Sequence, residues 1–301
     1  MTIFSDRLIG RMRTLRHPLC VGLDPHLDLL PRPFRRGSMA PQEAATAAAV
    51  EEFCCRAIDL VAEDVAIVKP QAALFERLGW QGWRALERVV RYARNAGLLV
   101  LLDAKRGDIP DTAIAYAQAY LAPDAPCGVD AMTVNPYLGP ESLAPFMLAA
   151  EQAENGVIVL VRNSNPDSAE YQTAVTHAGP FFMVVARSLV QWQQRLGCGA
   201  SGWSSLGVTV AANHADSTER VREILPHVLF LVPGYGAQGV SAREAVHAFR
   251  RGPAGLEGGI VSSSRAILFP PKSLEGGARE WDLGVRAALT RAINELGEAV
   301  A

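Results

Sequence analysis

Along the chain, short apolar runs alternate with longer stretches in which apolar residues recur at helical spacing. The runs are "LCVGLD" (19–24), "VAIVKP" (65–70), "LLVLLDAK" (98–105), "VDAMTVN" (129–135), "VIVLVRNS" (157–164), "LGVTVAAN" (206–213), "VLFLVPG" (228–234) and "GIVSSS" (259–264). Most are nearly continuous in hydrophobicity and rich in leucine or β-branched residues, as strands covered on both faces should be. Between them, 42–63, 80–95, 111–121, 140–154, 179–196, 216–225, 241–251 and 277–297 have amphipathic or alanine-rich helical character. "DST" at 216–218 and "SAREA" at 241–245 read as helix starts with capping side chains. Eight strands alternating with helices predict one α/β domain over 1–301, a (β/α)8 TIM barrel. Two insertions follow strands 1 and 5, at 25–41 and 165–205. An open doubly wound sheet shows the same alternation, because alternation does not encode closure.

In a parallel barrel the carboxyl ends of the strands form the catalytic face. The polar residues that close the runs are Asp24, Lys69, Asp103, Lys105, Asn135, Asn163, Ser164 and Asn213, followed by the "PGYGAQG" turn and Arg265 of "SSSR". Asp103 and Lys105 are two apart, so a regular strand projects them from one face. Asp108 follows Gly107, which permits a sharp turn. A lone Asp-x-Lys reads first as a structural ion pair. Five charged groups on one rim point instead to chemistry. "VPGYGAQG" sets three glycines around Gln238, allowing backbone N–H groups close to a ligand, and "GGIVSSSRAI" adds hydroxyls and Arg265. The loops after strands seven and eight are where barrels commonly hold phosphate, and a guanidinium forks onto its oxygens.

Composition narrows the classes. The chain has 301 residues, 49% of them hydrophobic, and a formal net charge of −2, so it can bury a core and has no bulk electrostatic reason to bind nucleic acid or an anionic membrane. Five cysteines (Cys20, Cys54, Cys55, Cys127 and Cys198) show no paired metal spacing and read as reduced thiols. "MTIFSDRLIGRMRTLRHPL" is interrupted by charges, unlike a signal peptide or an anchor, and no run approaches 18 apolar residues. A soluble, cytoplasmic protein is expected. Only three of the 29 basic residues are lysines, Lys69, Lys105 and Lys272, and two of them adjoin apolar strands. An ammonium can be tuned to donate a proton, whereas a guanidinium cannot.

"LLDAKRGDIPDTAIAYA" resembles the Asp-x-Lys-x-x-Asp signature of the orotidine 5'-phosphate decarboxylases, in the longer "DAKRGDI" (type 2) subfamily. "VGLDP", "VKPQAALFE", "VRNSNP", "VPGYGAQG" and "SSSRAI" occur in the family's order over nearly the whole chain. The resemblance implies a homodimeric barrel, with no metal or organic cofactor, converting orotidine 5'-monophosphate to UMP and CO2. It further implies that Asp24 hydrogen-bonds the ribose, Lys69 joins the charged network, Asp103 lies against the substrate carboxylate and Lys105 protonates C6. Asp108 and Thr112 would reach the neighbouring subunit's site. Ser164 would hold the pyrimidine edge, and Gln238, Gly259 and Arg265 the phosphate. "TVAANH" and Asp111 depart from the family pattern, which leaves Asn213 and Asp111 without an assigned role. Hexulose-phosphate synthases and keto-gulonate-phosphate decarboxylases share the signature but use Mg²⁺, with an acidic residue where this chain has Lys69. A non-catalytic phosphate-ligand binder would show an incomplete charge network. A Schiff-base aldolase would form a borohydride-trappable adduct on Lys69 or Lys105.

Overall fold

The computed structural model describes residues 2–301, and in it the eight apolar runs form eight strands. They are β1 (Leu19–Leu23), β2 (Ile67–Pro70), β3 (Leu99–Arg106), β4 (Ala131–Val134), β5 (Gly156–Leu160), β6 (Leu206–Thr209), β7 (Leu229–Val232) and β8 (Gly259–Ser263). Each pairs in parallel with its neighbours in sequence, and β8 returns to β1 with Leu19 opposite Val261, so the sheet closes. Closure decides between the two architectures that the alternation left open. Successive residues point to opposite faces. Cys20, Ile67, Leu101, Ala131, Ile158, Leu231 and Ile260 fill the barrel, while Val21, Val68, Leu102, Met132, Val159, Val232 and Val261 pack outward under the helices. Both sets are buried, which is why the strands read as unbroken apolar runs.

The charge-interrupted N-terminus, unassigned by the run pattern, is a helix, Phe4–Leu15. Phe4, Leu8, Ile9 and Met12 share one face and join the side chains that fill the barrel, closing its amino end. The interrupting charges lie on the other face, where Arg7 pairs with Asp130 at 2.6 Å and Arg13 with Glu257 at 2.7 Å. With that end plugged, the strand carboxyl ends are the open end of the barrel.

Two local expectations change. The helix expected to start at "DST" runs Ala215–Ile224 without a side-chain cap; Asp216 lies in its first turn, where a carboxylate favours the helix dipole. Ser241 does cap its helix, in a reciprocal capping box with Glu244, but that helix ends at Val246. Residues Arg250–Gly252 and Gly255–Glu257 form an antiparallel hairpin instead of a further helical turn. Both insertions are folded. Residues 25–41 include a 3-10 turn at Arg32–Phe34 that buries Phe34, and 165–205 hold a two-stranded hairpin and the helices Ser168–Gln172, Phe181–Ser188 and Val190–Arg195. All five cysteines are free thiols. Among the described residues no helix is long and apolar enough to cross a membrane.

Candidate active site

The centre of the site is a break in the pairing of β3 with β4. Leu102 faces Met132, but the next register pair is Arg106 with Val134, so four steps on β3 match two on β4. The surplus bulges at 103–105, and Lys105 takes a left-handed backbone with φ of 47°. That conformation is uncommon for a residue with a Cβ and clusters at functional sites. Asp103 and Lys105 do meet, with Lys105 Nζ donating to Asp103 Oδ1 at 2.6 Å. The bulge brings them together, not the regular alternation expected from their spacing. Gly107 likewise acts differently from expectation. Its φ is not left-handed; a Cβ there would lie 2.9 Å from the Asn135 carbonyl oxygen, so glycine is needed for close approach.

Four donors converge on Asp103. Oδ1 accepts from Lys105 Nζ and, at 3.0 Å, from Thr133 Oγ1; Oδ2 accepts from Lys69 Nζ at 3.0 Å and Gln71 Nε2 at 3.4 Å. Asp103 and Lys69 are each only 7% exposed, so neither charge is solvated by bulk water. Burial opposes the charge on Asp103, but the ammonium groups of Lys69 and Lys105 outweigh it and hold the carboxyl well below the usual range. Burial similarly opposes the charge on Lys69, and the carboxylates of Asp103 and Asp24 overcome it, raising its pKa above that of an ordinary lysine. The pair is therefore ionised across the physiological range. Lys105 differs in exposure: its side chain is 41% exposed and reaches the open cavity.

That cavity, about 260 Å³, opens at the carboxyl ends of the strands. Asp24, Lys69, Asp103, Lys105, Ser164, Gln238 and Arg265 all line it, so the five charged groups predicted to share a rim do so. The far wall is built by the turn after β7, where Gly234, Gly236 and Gly239 all have left-handed φ values of 97°, 76° and 79°. Side chains with a Cβ would strain that path. Ser164 Oγ donates to Gln238 Oε1 at 3.2 Å, bridging the cavity from β5 to this turn. Arg265 is exposed and makes no ion pair among the described residues. Asp24 Oδ1 and Ser264 Oγ are buried in the cavity wall without a hydrogen-bond partner among the described residues, so both retain capacity for a ligand. Among the described residues no three His, Cys, Asp or Glu side chains are grouped to hold a metal ion.

Other expected positions fall elsewhere. Gly259 is a correction: it begins β8 at the plugged end, opposite Phe230, and a Cβ would lie 2.2 Å from Phe249 Cε1. Its smallness serves packing, not phosphate. Asp108 and Thr112 do not line their own chain's cavity; among the described residues Asp108 Oδ1 accepts only from the Ile109 N–H, at 2.7 Å, and Thr112 is exposed in the helix Pro110–Tyr120. Asn135, Asn213 and Asp111 also lie outside it. The hydroxyls of Ser262–Ser264 line the cavity beside Arg265, as expected of "GGIVSSSRAI"; conversely, Gln71, Thr133 and Thr209 belong to the site or its support and are not marked by charge or by a polar strand end. Gln71 follows "VKP" directly and Thr133 is the one hydroxyl in "VDAMTVN". A polar residue inside an apolar strand was the available signal.

The model of the orotidine 5'-phosphate decarboxylase / HUMPS family matches residues 17–272, from just before β1 to just beyond β8. The orotidine 5'-phosphate decarboxylase of Rhodopirellula baltica is 40% identical over 296 residues, covering 96% of this chain and 97% of its own. That of Haloarcula marismortui is 39% identical over 268 residues, covering 88% and 87%. Among solved structures, Leishmania donovani OMP decarboxylase superposes with a TM-score of 0.75 at 32% identity, covering 99% of both chains. With the closed barrel and the doubly paired aspartate of β3, these matches place the chain in the orotidine 5'-phosphate decarboxylase / HUMPS family.

Proposed function

We propose that the protein is an orotidine 5'-phosphate decarboxylase, a carboxy-lyase that releases CO2 from orotidine 5'-monophosphate and leaves UMP, in pyrimidine biosynthesis. The observation that carries this reading is Asp103 held between Lys69 and Lys105 at one side of a cavity whose other side offers Arg265 and a glycine turn. Loss of CO2 from C6 leaves a vinyl carbanion that no neighbouring carbonyl can absorb. An ammonium beside C6 stabilises the developing charge and then quenches it, and Lys105 is the exposed ammonium at the cavity. Asp103, kept ionised by its partners, sets a negative charge against the departing carboxylate. Two unit charges 4 Å apart interact by about 4 kcal/mol at an effective dielectric near 20. Enzymes lower barriers by roughly 8–23 kcal/mol, so repulsion alone is too small. The remainder is drawn from binding the phosphate and ribose, by Arg265, Gln238 and Asp24, with Ser164 at the pyrimidine edge.

The donor set fits chemistry without a metal: the position that would add a carboxylate to a cation site carries Lys69. The protein acts as a cytoplasmic homodimer with shared sites. Asp108 and Thr112 do not line their own chain's cavity, and Ile109, Ile114, Tyr137 and Leu138 are exposed apolar side chains on the same segments or the next. Mixing pure protein with orotidine 5'-monophosphate in EDTA tests the reading. Falling substrate absorbance with UMP formation is expected. Turnover only after adding Mg²⁺, or on a hexulose phosphate, would replace it with the metal-dependent reaction.

A further inference from the structure

Thr133 lies on β4 opposite the β3 bulge, between the register pairs Leu102–Met132 and Arg106–Val134. The bulge leaves successive β3 N–H groups without ladder partners. One side-chain oxygen takes two of them: Thr133 Oγ1 accepts from Ala104 N and Lys105 N, each at 2.9 Å. Having filled its lone pairs, the hydroxyl directs its proton to Asp103 Oδ1 at 3.0 Å. Thr133 is 1% exposed and is absent from the cavity lining, so it lies behind the cavity wall. Its three bonds go to the carboxylate that holds both lysines and to the backbone of Ala104 and the left-handed Lys105.

We infer that Thr133 is a positioning residue: its hydroxyl fixes the backbone of Lys105 and the carboxylate of Asp103, and so sets where the Lys105 ammonium stands. This rests on the decarboxylase reading only for the assignment of Lys105 as proton donor. The geometry is specific to a hydroxyl. Valine matches the shape but would bury two unpaired N–H groups and release one of four bonds on Asp103. Serine retains all three bonds.

Thr133→Val, Thr133→Ser and Thr133→Ala separate the hydroxyl from the methyl group. Thr133→Val and Thr133→Ala are expected to lower kcat by about 30-fold, the size of a lost charge-assisted bond, with KM within about threefold. Thr133→Ser should retain kcat within about threefold. A second readout does not depend on turnover. The chain has three lysines, so protein grown with carbon-labelled lysine side chains gives three NMR signals, and Lys272→Arg identifies the remote one. Thr133→Val should shift the Lys69 and Lys105 signals and leave that of Lys272 in place; Thr133→Ser should reproduce the wild-type spectrum. Equal loss in the serine and valine variants would make Thr133 a packing residue and overturn the inference. Unchanged Lys69 and Lys105 signals in Thr133→Val would overturn it too. Wild-type protein without decarboxylase activity, but with these lysine shifts in Thr133→Val, would refute the reaction and leave the positioning role standing.

Discussion

Removing Asp103 should cost far more stability than removing Lys105, although both substitutions should abolish turnover. The side chains of Asp103 and Lys69 are 10% and 8% exposed, whereas that of Lys105 is 41% exposed. In Asp103→Ala, Lys69 remains buried without its closest counter-charge. Breaking a buried pair from one side costs about 3–5 kcal/mol, because the surviving charge is left uncompensated. Asp24 still faces Lys69 and contributes to its raised pKa, so the lower end of that range, about 3 kcal/mol, is expected. At roughly 2–4 °C per kcal/mol for a chain of this size, Tm should fall by about 6–12 °C. In Lys105→Ala, Asp103 keeps Lys69, Thr133 and Gln71, and the lost partner was already solvated, so the change should stay below about 1 kcal/mol. Urea unfolding of both variants, followed by tryptophan fluorescence, measures the difference. Adding Lys69→Met to Asp103→Ala should recover most of the loss, since the stranded charge is then gone. Equal stability of the single variants, or no recovery in the double variant, would refute the claim that the network is held by mutual neutralisation.

The same network fixes a pH dependence. Asp103 has a lowered folded pKa, so its contribution is present above the unfolded value, about 3.9, and is lost as pH falls through the folded one; below pH 4, wild type should lose stability more steeply than Asp103→Ala in acid titrations of the unfolding free energy. Lys105→Ala should retain less than about a tenth of wild-type kcat, a deficit above roughly 1.4 kcal/mol, while Arg106→Ala, whose guanidinium pairs with Glu76 and stacks on Tyr116 away from the cavity, should lose far less; a stopped or continuous absorbance assay decides it. Arg265→Ala should weaken 5'-phosphorylated ligands by about 1.5–3 kcal/mol and leave the bare nucleoside nearly unchanged, as calorimetric titration with UMP and uridine would show; equal loss for both would make Arg265 structural. Mixing inactive Lys105→Ala and Asp108→Ala proteins should restore about a quarter of wild-type activity, because about half of randomly reassociated dimers are mixed and each has one intact site; no recovery, with subunit exchange shown independently, would put Asp108 in its own subunit's site.

How much was legible from residues alone differs by scale. The eight strands were readable because a sheet buried on both faces must be apolar at every position, and such runs stand out against any background. Asp24, Lys69, Asp103, Lys105 and Arg265 were readable because charges at the ends of such strands are costly without a partner or a task. The helix Phe4–Leu15 was not, since half its face pairs with Asp130 and Glu257, more than a hundred positions away, and those charges masked its apolar stripe. Gly259 misled for a similar reason. A glycine before a phosphate-like motif and a glycine packed under Phe249 are the same letter, and only the fold gives the distance.

The linear order of residues thus determined which segments must be strands, which charges must be excused from the core, and the motif order that marks the family. The tertiary structure decided that the sheet closes, that one end is plugged and the other open, and that Asp103 is reached by Lys69, Gln71 and Thr133 from neighbouring strands. It also decided that Asp103 meets Lys105 through a bulge and not through regular alternation. The physical reason is range. Burial and periodicity act between residues a few positions apart and leave a local imprint. Pairing register, closure and the saturation of a carboxylate by side chains some 30 positions away depend on contacts that exist only once the chain has folded.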